Sequence, residues 1–484
     1  MIENSFTLSF KRHFVHTPNT KQESIIKNLY KLTYSKENKQ VYILTGYAGT
    51  GKTSILGAYV KTLTELKIKS RLLAPTGRAA KVLSNNSNKQ AFTIHKQIYR
   101  RKNSTDDYNS LSLSPNLFKN TIFIVDEASM IADYKIDFTS NSSSRNLLED
   151  LIEFVFSGYN CKLILLGDEG QLPPVGSDFS PALNVDYLKQ NFSSLEIYSV
   201  RLNEVLRQSK NSLILENASH IRQSNLNGTP KFILDSRKDF QNLKGDELQD
   251  KIEDSIGKYG ENETIIITRS NKQANNYNFQ FRSRVLWYEE ELSNNDILLN
   301  VKNNYYWIDE QSKAGFIANG EILQVKRIIK REFLYGVHFI KAIVQLVDYP
   351  EIEEFETILH TEVLSSESPN LNRERQKELF FEIEKDFIDE RNKRKRYELI
   401  LKSPYFNALQ VKFAYAITCH KAQGGQWDCV FIDQGYINEE AIDSSYYRWL
   451  YTAITRAKKQ VYLINFPDKY FITDCKQTIN PIVL

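Results

Sequence analysis

The chain has 484 residues, with 41% hydrophobic and 25% charged side chains and a formal net charge of +4, which is the composition of an ordinary globular protein of two to four domains. Its four cysteines form no C-x-x-C pair, which argues against a cysteine metal site and a disulfide framework and favours a reducing, cytoplasmic location. The sequence has no signal-peptide pattern and no run of about 18 apolar residues, so we expect no membrane partner.

The first strong motif follows a predicted buried strand, 41–44. It is the segment GYAGTGKT at 46–53, and a helical pattern continues from it, which is the context that a phosphate-binding loop requires. Three glycines allow the tight turn and direct backbone N–H groups onto a polyphosphate, namely Gly46, Gly49 and Gly51. The spacing predicts that Lys52 contacts the β- and γ-phosphates and that the Thr53 hydroxyl binds a magnesium ion.

Further short apolar runs alternate with helical patterns along the chain. They predict strands of buried parallel sheets at Ser70–Ala74, Thr121–Val125, Leu163–Leu166, Thr264–Thr268, Val430–Ile432 and Val461–Ile464. Strands alternating with helices indicate the α/β class. Because a single doubly wound sheet rarely needs this many residues, we expect two such units, divided near residue 205.

Three segments interrupt this pattern. Residues 98–117 are polar and turn-rich, which predicts a small insertion, most simply a hairpin. Residues 290–350 are rich in β-branched and aromatic residues separated by turn signals, which predicts a small antiparallel barrel. Residues 367–402 predict one long charged helix with a basic run at 391–396, for which a solvated face is favoured over a nucleic-acid contact.

Polar residues follow two of the predicted strands. Asp126 and Glu127 end the strand at 121–125, where an aspartate can hold magnesium through water and a glutamate can polarise an attacking water molecule. Gln171 lies in a similar position after the strand at 163–166 and can hydrogen-bond a γ-phosphate. Two arginines, Arg207 and Arg456, are further candidate γ-phosphate contacts, although for each taken singly a surface arginine is the favoured interpretation.

These motifs, in this order, resemble superfamily 1 DNA helicases of the 5′→3′ group, the RecD-like and phage Dda-like enzymes. In the first half the matching segments are Thr17–Gln22, Gly46–Thr53, Leu73–Leu83, Thr93–Lys96, Val125–Ser129 and Gly167–Gly176. In the second half they are Ile266–Lys272, Asn319–Glu321, Ala414–Gly424 and Tyr451–Lys458. The resemblance extends from about Thr20 to Leu463.

The resemblance implies two RecA-like lobes with ATP and Mg²⁺ in the cleft between them. Lobe 1 would span 1–205, lobe 2 would span 206–289 and 406–484, and an inserted barrel with a charged helix would occupy 290–405. Gln22 would contact the adenine base. The catalytic residues would be Lys52, Glu127, Gln171, Arg207 and Arg456, with Thr53 and Asp126 on the metal.

The resemblance also implies a single-stranded DNA track across both lobes, and a bacterial or phage type of intracellular protein. The contacts with single-stranded DNA would come from Pro75, Thr76, Thr93, His95, Lys96, Thr418 and His420. The insertion at 98–117 would be the wedge that splits a duplex. The implied activity is ATP-dependent 5′→3′ unwinding by a monomer acting on single strands and tailed duplexes, with a single-strand-binding protein as a candidate partner. Two alternatives stay open: a translocase that remodels bound proteins, and a nucleotide-gated nucleic-acid-binding module without turnover.

Overall fold

The computed structural model describes residues 2–37, 39–101, 111–136, 145–203, 212–223, 229–309 and 312–472. Its α-helices are α1 (Ile2–His13), α2 (Thr20–Tyr34), α3 (Lys52–Glu65), α4 (Gly77–Ser87), α5 (Ile94–Ile98), α6 (Leu147–Ser157), α7 (Val185–Asn191), α8 (Leu213–Gln223), α9 (Leu248–Tyr259), α10 (Asn271–Arg284), α11 (Glu362–Ser365), α12 (Arg373–Glu384), α13 (Lys393–Leu401), α14 (Cys419–Ala422) and α15 (Ser444–Ile454).

The strands in the first half are β1 (Gln40–Gly46), β2 (Lys69–Ala74), β3 (Ala91–Thr93), β4 (Tyr99–Arg101), β5 (Leu111–Leu113), β6 (Thr121–Val125), β7 (Lys135–Ile136), β8 (Arg145–Asn146), β9 (Lys162–Gly167), β10 (Glu196–Leu202), β11 (Phe232–Ile233) and β12 (Phe240–Leu243). Those in the second half are β13 (Thr264–Thr268), β14 (Ile297–Asn300), β15 (Ile322–Leu334), β16 (Val337–Leu346), β17 (Phe355–His360), β18 (Leu409–Phe413), β19 (Ala416–Thr418), β20 (Trp427–Asp433), β21 (Ala457–Ile464) and β22 (Phe471–Ile472).

Lobe 1 is built on a six-stranded parallel sheet in the order β10-β1-β9-β6-β2-β3. Its central strands β1, β6 and β9 are buried along their whole length, because α1, α2 and α3 cover one face and α6 covers the other. The carboxyl ends of these three strands therefore lie side by side at one edge of the sheet, where functional loops of such sheets are found.

Lobe 2 is built on a second parallel sheet in the order β12-β21-β20-β13-β19. All seven strands predicted from apolar runs lie in these two sheets, which confirms the α/β class and the two-lobed architecture. The edge strand β10 was not predicted. As an edge strand paired with β1, it keeps six of its seven residues exposed or half-buried, so it lacks a continuous apolar run.

The inserted barrel is closed by β14, β15, β16, β17 and β18. Its limits differ from the predicted 290–350, since β17 and β18 lie beyond that range and residues 409–413, expected in lobe 2, form the closing strand. The β17–β18 pair is parallel, so the barrel is not wholly antiparallel as predicted. Local turn signals cannot reveal a closing strand that pairs with β14 about a hundred residues away.

A buried polar cluster joins the barrel to lobe 2. The Arg282 guanidinium on α10 donates to both carboxylate oxygens of Asp296, each at 2.8 Å, and the Tyr415 hydroxyl donates to Asp296 Oδ1 at 2.9 Å. The Tyr415 ring also stacks on Phe281, with centroids 4.6 Å apart. Because only Ala414 and Tyr415 separate β18 from β19, the barrel and the lobe 2 sheet share one continuous core.

The predicted long charged helix is wrong, since two shorter helices, α12 and α13, replace it. Asn392 starts the second helix by accepting hydrogen bonds from the backbone N–H groups of Arg394 and Lys395. The break lets α13 pack back on α12, with the rings of Phe380 and Tyr397 5.5 Å apart. Burying these apolar groups against the barrel is favoured over one exposed helix.

Within residues 98–117, β4 and β5 form the expected antiparallel pair. Residues 102–110 lie outside the described residues, as does the lobe boundary predicted near 205. None of the described helices combines the length and the apolar composition needed to span a membrane.

Candidate nucleotide site and nucleic-acid groove

The phosphate loop connects β1 to α3 at the functional edge of the lobe 1 sheet. Gly49 and Gly51 adopt φ values of 75° and 87°, a region that glycine enters without strain. A Cβ at Gly46 would lie 2.8 Å from Leu202 Cβ, so the loop also needs glycine there to pack against β10. The sequence therefore specifies a turn whose backbone N–H groups and helix start can bind phosphate.

Lys52 is the first residue of α3, and its ammonium is held at the mouth of the loop. It donates hydrogen bonds to the carbonyl oxygens of Gly46 and Tyr47, the latter at 2.9 Å, and lies 3.9 Å from Asp168 Oδ2. A phosphate bound at the loop N–H groups would be within reach of this positive charge.

The acidic pair follows β6. Asp126 Oδ1 accepts a hydrogen bond of 2.9 Å from the Glu127 N–H. Burial, and then the negative charge of Glu127, raise the pKa of Asp126 to about 7. Thr53, on the first turn of α3, is exposed toward solvent. A hydroxyl and a half-buried carboxylate are oxygen ligands of the kind that Mg²⁺ takes, so these residues fit the predicted metal.

The loop after β9 carries Gln171, which is 5% exposed. Its Oε1 has no hydrogen-bond partner among the described residues. The neighbouring Leu172 ties the loop to lobe 2, because its N–H donates to Thr452 Oγ1 at 2.8 Å and its carbonyl accepts from Gln423 Nε2 at 2.6 Å. Gln171 is therefore held at the seam between the lobes.

Arg456 enters the cleft from lobe 2, just beyond α15, and is 3% exposed. Its guanidinium donates to the Thr452 carbonyl at 3.1 Å and to the Gly425 carbonyl at 3.3 Å, and it lies 3.8 Å from Glu127 Oε1. The structure thus brings Arg456 to the acidic pair of lobe 1. The other predicted arginine, Arg207, lies outside the described residues.

Gln22 lies at the start of α2, in a capping box with Asn19. Its Oε1 accepts from the Asn19 N–H at 3.0 Å, whereas its Nε2 is buried and has no partner among the described residues. A buried amide donor held in this way fits a base-contacting role, because adenine offers ring-nitrogen acceptors.

Tyr451 is a residue at this site to which the sequence analysis assigned no role. Its hydroxyl, on α15, donates to Asp168 Oδ2 at 2.7 Å and accepts from the Ala48 N–H of the phosphate loop at 2.8 Å. Tyr451 lies in the matched segment 451–458, but the sequence does not indicate these two contacts, because both partners are hundreds of residues away.

A large groove, with a volume of about 1570 Å³, crosses both lobes and the barrel. Six of the seven predicted DNA contacts line it, namely Pro75, Thr76, Thr93, His95, Thr418 and His420. The Thr76 and Thr93 hydroxyls cap α4 and α5 by accepting backbone hydrogen bonds, which leaves each O–H free to donate.

Lys96 is the predicted contact that does not line the groove. Its ammonium donates to the carbonyl oxygens of Ser312 at 2.6 Å and Lys313 at 2.5 Å, so it ties lobe 1 to a loop of the insertion. The two histidines line the groove as neutral groups, because burial lowers the pKa of His95 to about 4 and also lowers the pKa of His420.

The charge of the groove is one-sided. None of its described lining residues is Asp or Glu, whereas five are basic: Arg269, Lys302, Arg373, Lys377 and Lys421. The ammonium of Lys421 is buried and has no hydrogen-bond partner among the described residues, and burial lowers its pKa to about 8. Aromatic rings also line the groove, including Tyr134, Tyr305 and Phe381. Such a surface suits a polyanion with stacking bases.

Comparisons with known proteins agree with this geometry. A family model described as an AAA domain matches residues 18–233, and one described as a UvrD-like helicase C-terminal domain matches residues 413–464. The ATP-dependent DNA helicase dda of Enterobacteria phage T4 is 28% identical over 334 residues, covering 65% of this chain and 69% of that protein. An uncharacterized protein of Acanthamoeba polyphaga mimivirus is 25% identical over 517 residues, covering 92% of this chain and 99% of that one.

Among solved structures, the Pif1 helicase from Bacteroides in complex with ADP-AlF3 and single-stranded DNA gives a TM-score of 0.47 at 14% identity, with 95% of each chain covered. The sequence matches and the two family models confirm the resemblance predicted from the motifs.

Proposed function

We propose that this chain, which resembles superfamily 1 helicases of the 5′→3′ group, is an ATP-dependent DNA helicase that translocates 5′→3′ on single-stranded DNA and unwinds duplexes. One observation carries the proposal: Gln423 lines the basic groove and donates to the carbonyl of Leu172, the residue next to Gln171 in the nucleotide cleft. The groove and the cleft therefore meet at one hydrogen-bonded seam.

In the cleft, the residues of the two lobes have complementary tasks. Gln22 orients the base, and Lys52 binds the β- and γ-phosphates. Thr53 and Asp126 would hold Mg²⁺, which neutralises phosphate charge when bound. Glu127 orients the attacking water, while Gln171 and Arg456 contact the γ-phosphate from opposite lobes. Because both lobes bind that group, its loss on hydrolysis favours an open cleft.

In the groove, the contacts are suited to the DNA backbone. Thr76, Thr93 and Thr418 offer short hydroxyl donors to phosphates, and Lys421 offers a positive charge. Contacts of this kind carry no sequence information, so the lobes can step along any sequence. The insertion at 98–117 stays our predicted wedge; its residues 102–110 lie outside the described residues.

The test compares three duplexes that carry a 5′ single-stranded tail, a 3′ tail or no tail. Strand separation that requires ATP and the 5′ tail is the expected result. Preference for the 3′ tail would overturn the polarity. DNA-stimulated hydrolysis without strand separation would favour a protein-remodelling translocase, and nucleotide-dependent DNA binding without hydrolysis would favour a gated binding module.

The same duplexes test the proposed monomeric state and the proposed single-strand-binding partner. Unwinding should scale linearly with enzyme concentration if the monomer is the active form. Addition of a single-strand-binding protein should raise the yield of separated strands, because it traps the product.

A further inference from the structure

A small apolar cluster anchors the helical pair α12–α13 to the barrel. Leu379, Ile383 and Ile400 are buried with Val337 and Phe339 of β16 in a small apolar cluster. These contacts fix the pair as part of the barrel and determine which side of α12 faces outward.

One stripe of α12 lines the groove. Arg373, Gln376, Lys377 and Phe380 follow the three- and four-residue spacing of one helical stripe, and all four line the groove with Thr76, Thr93 and Thr418. Phe381 also lines it and is 59% exposed. An aromatic ring with that much exposure on a groove wall is available for stacking.

The acidic residues of α12 do not line the groove. Three of them form ion pairs: Glu378 with Arg375 at 2.8 Å, Glu382 with Lys385 at 2.7 Å, and Glu384 with Arg396 at 3.3 Å. The basic run of α13 is partly neutralised as well, since Lys395 lies 2.8 Å from Glu390. In contrast, Lys377 has no ion pair among the described residues.

We propose that α12 is a third wall of the single-stranded DNA site, with Arg373 and Lys377 binding phosphates and Phe381 stacking on a base. This inference rests on the proposed function, because the strand must already lie in the groove between Thr76 and Thr418. It lengthens the site beyond the two lobes and assigns the contact to α12, not to the basic run at 391–396.

The experiment measures binding of fluorescent oligothymidylates, about 4 to 16 nucleotides long, to the full chain by anisotropy over a range of salt concentrations. The variant R373A/K377A removes two positive charges from the groove wall. The matched control R394A/K395A removes two positive charges from α13 outside the groove. F381A removes the exposed ring without changing the charge.

For R373A/K377A, the slope of log affinity against log salt should become shallower by about 1.4, or about 0.7 per lost phosphate contact, and the loss should grow with oligonucleotide length. F381A should weaken binding of the longer oligonucleotides by roughly fivefold or more without changing the salt slope. The control R394A/K395A should follow the wild type.

A wild-type slope for R373A/K377A, or an equal loss in R394A/K395A, would overturn the inference. The wild-type chain separates this result from a failure of the proposed function. If the wild type binds these oligonucleotides and its ATPase is stimulated by them, only the third wall is refuted. If the wild type does neither, the third wall and the proposed function are both refuted.

Discussion

The hydroxyl of Tyr451 lies 2.7 Å from Asp168 Oδ2 and 2.8 Å from the Ala48 N–H, so one lobe 2 side chain joins the phosphate loop to the loop after β9. Burial, and then the nearby charge of Asp168, raise the pKa of Tyr451 well above its usual range, which keeps the phenol protonated and able to donate. Tyr451 therefore links both of these lobe 1 loops directly to α15.

Replacing Tyr451 by phenylalanine should lower the free energy of unfolding by about 1–3 kcal/mol, since it leaves the buried Asp168 carboxylate without its closest donor from lobe 2. Urea unfolding followed by fluorescence measures this loss. Tyr436→Phe, at a position that is 99% exposed, is the control and should have no effect. Equal stability of Tyr451→Phe and the wild type would show that this bond does not hold the lobes together.

Lys52→Ala should abolish ATP hydrolysis and leave single-stranded DNA binding nearly intact, because the ammonium faces the phosphate loop and does not line the groove. Steady-state ATPase and fluorescence anisotropy measure the two properties. Lys61→Ala removes an exposed lysine from the same helix and should retain both. Hydrolysis at the wild-type rate in Lys52→Ala would refute the assignment of the nucleotide site.

Arg456→Lys should reduce DNA-stimulated hydrolysis by about 10³-fold or more, because an ammonium keeps the charge but loses the planar guanidinium that stabilises a transferring phosphoryl group. Binding of a fluorescent ATP analogue should persist. The conservative change keeps a cation near Glu127, so a folding defect is not expected. Arg284→Lys, on the exposed end of α10, serves as the control. Unchanged turnover in Arg456→Lys would exclude this arginine from catalysis.

Glu321 of the barrel is buried against Gly77 at the start of α4, and its Oε2 has no hydrogen-bond partner among the described residues. Burial, and then the charge of Asp348, raise the pKa of Glu321 to about 8, against the opposing effect of Lys81 and Arg78. The folded protein therefore keeps a proton that the unfolded chain releases above about pH 4.5, and the free energy of unfolding falls as pH rises from there to about 8.

Glu321→Gln imitates the protonated carboxyl and should remove this pH dependence. Relative to the wild type, its free energy of unfolding should rise between pH 5 and pH 8 by roughly 3 to 5 kcal/mol. Urea unfolding at a series of pH values measures the difference. The exposed Glu353→Gln, on the same barrel, should follow the wild type at every pH. Parallel curves for Glu321→Gln and the wild type would contradict the raised pKa.

The sequence could predict those parts of the site that follow a buried strand directly. Lys52, Asp126 and Gln171 each come shortly after an apolar run, and parallel strands bring such ends to one edge. The bond between Tyr451 and Asp168 could not be predicted, because it depends on how two separately folded sheets face each other. The closing strand β18 and the break before α13 were missed for a similar reason, since distant packing partners determine both.

The cluster of Arg282, Asp296 and Tyr415 has a mechanical consequence. It fastens the barrel, and the helical pair on it, to lobe 2, so a movement of lobe 2 that widens or narrows the cleft would carry these parts with it. Against lobe 1 these parts rest on small contacts, such as Lys81 with Asp348 at 3.1 Å and Lys96 with the carbonyl of Ser312 at 2.6 Å. In the proposed cycle, such contacts would have to break and re-form, whereas the buried cluster on lobe 2 would stay intact.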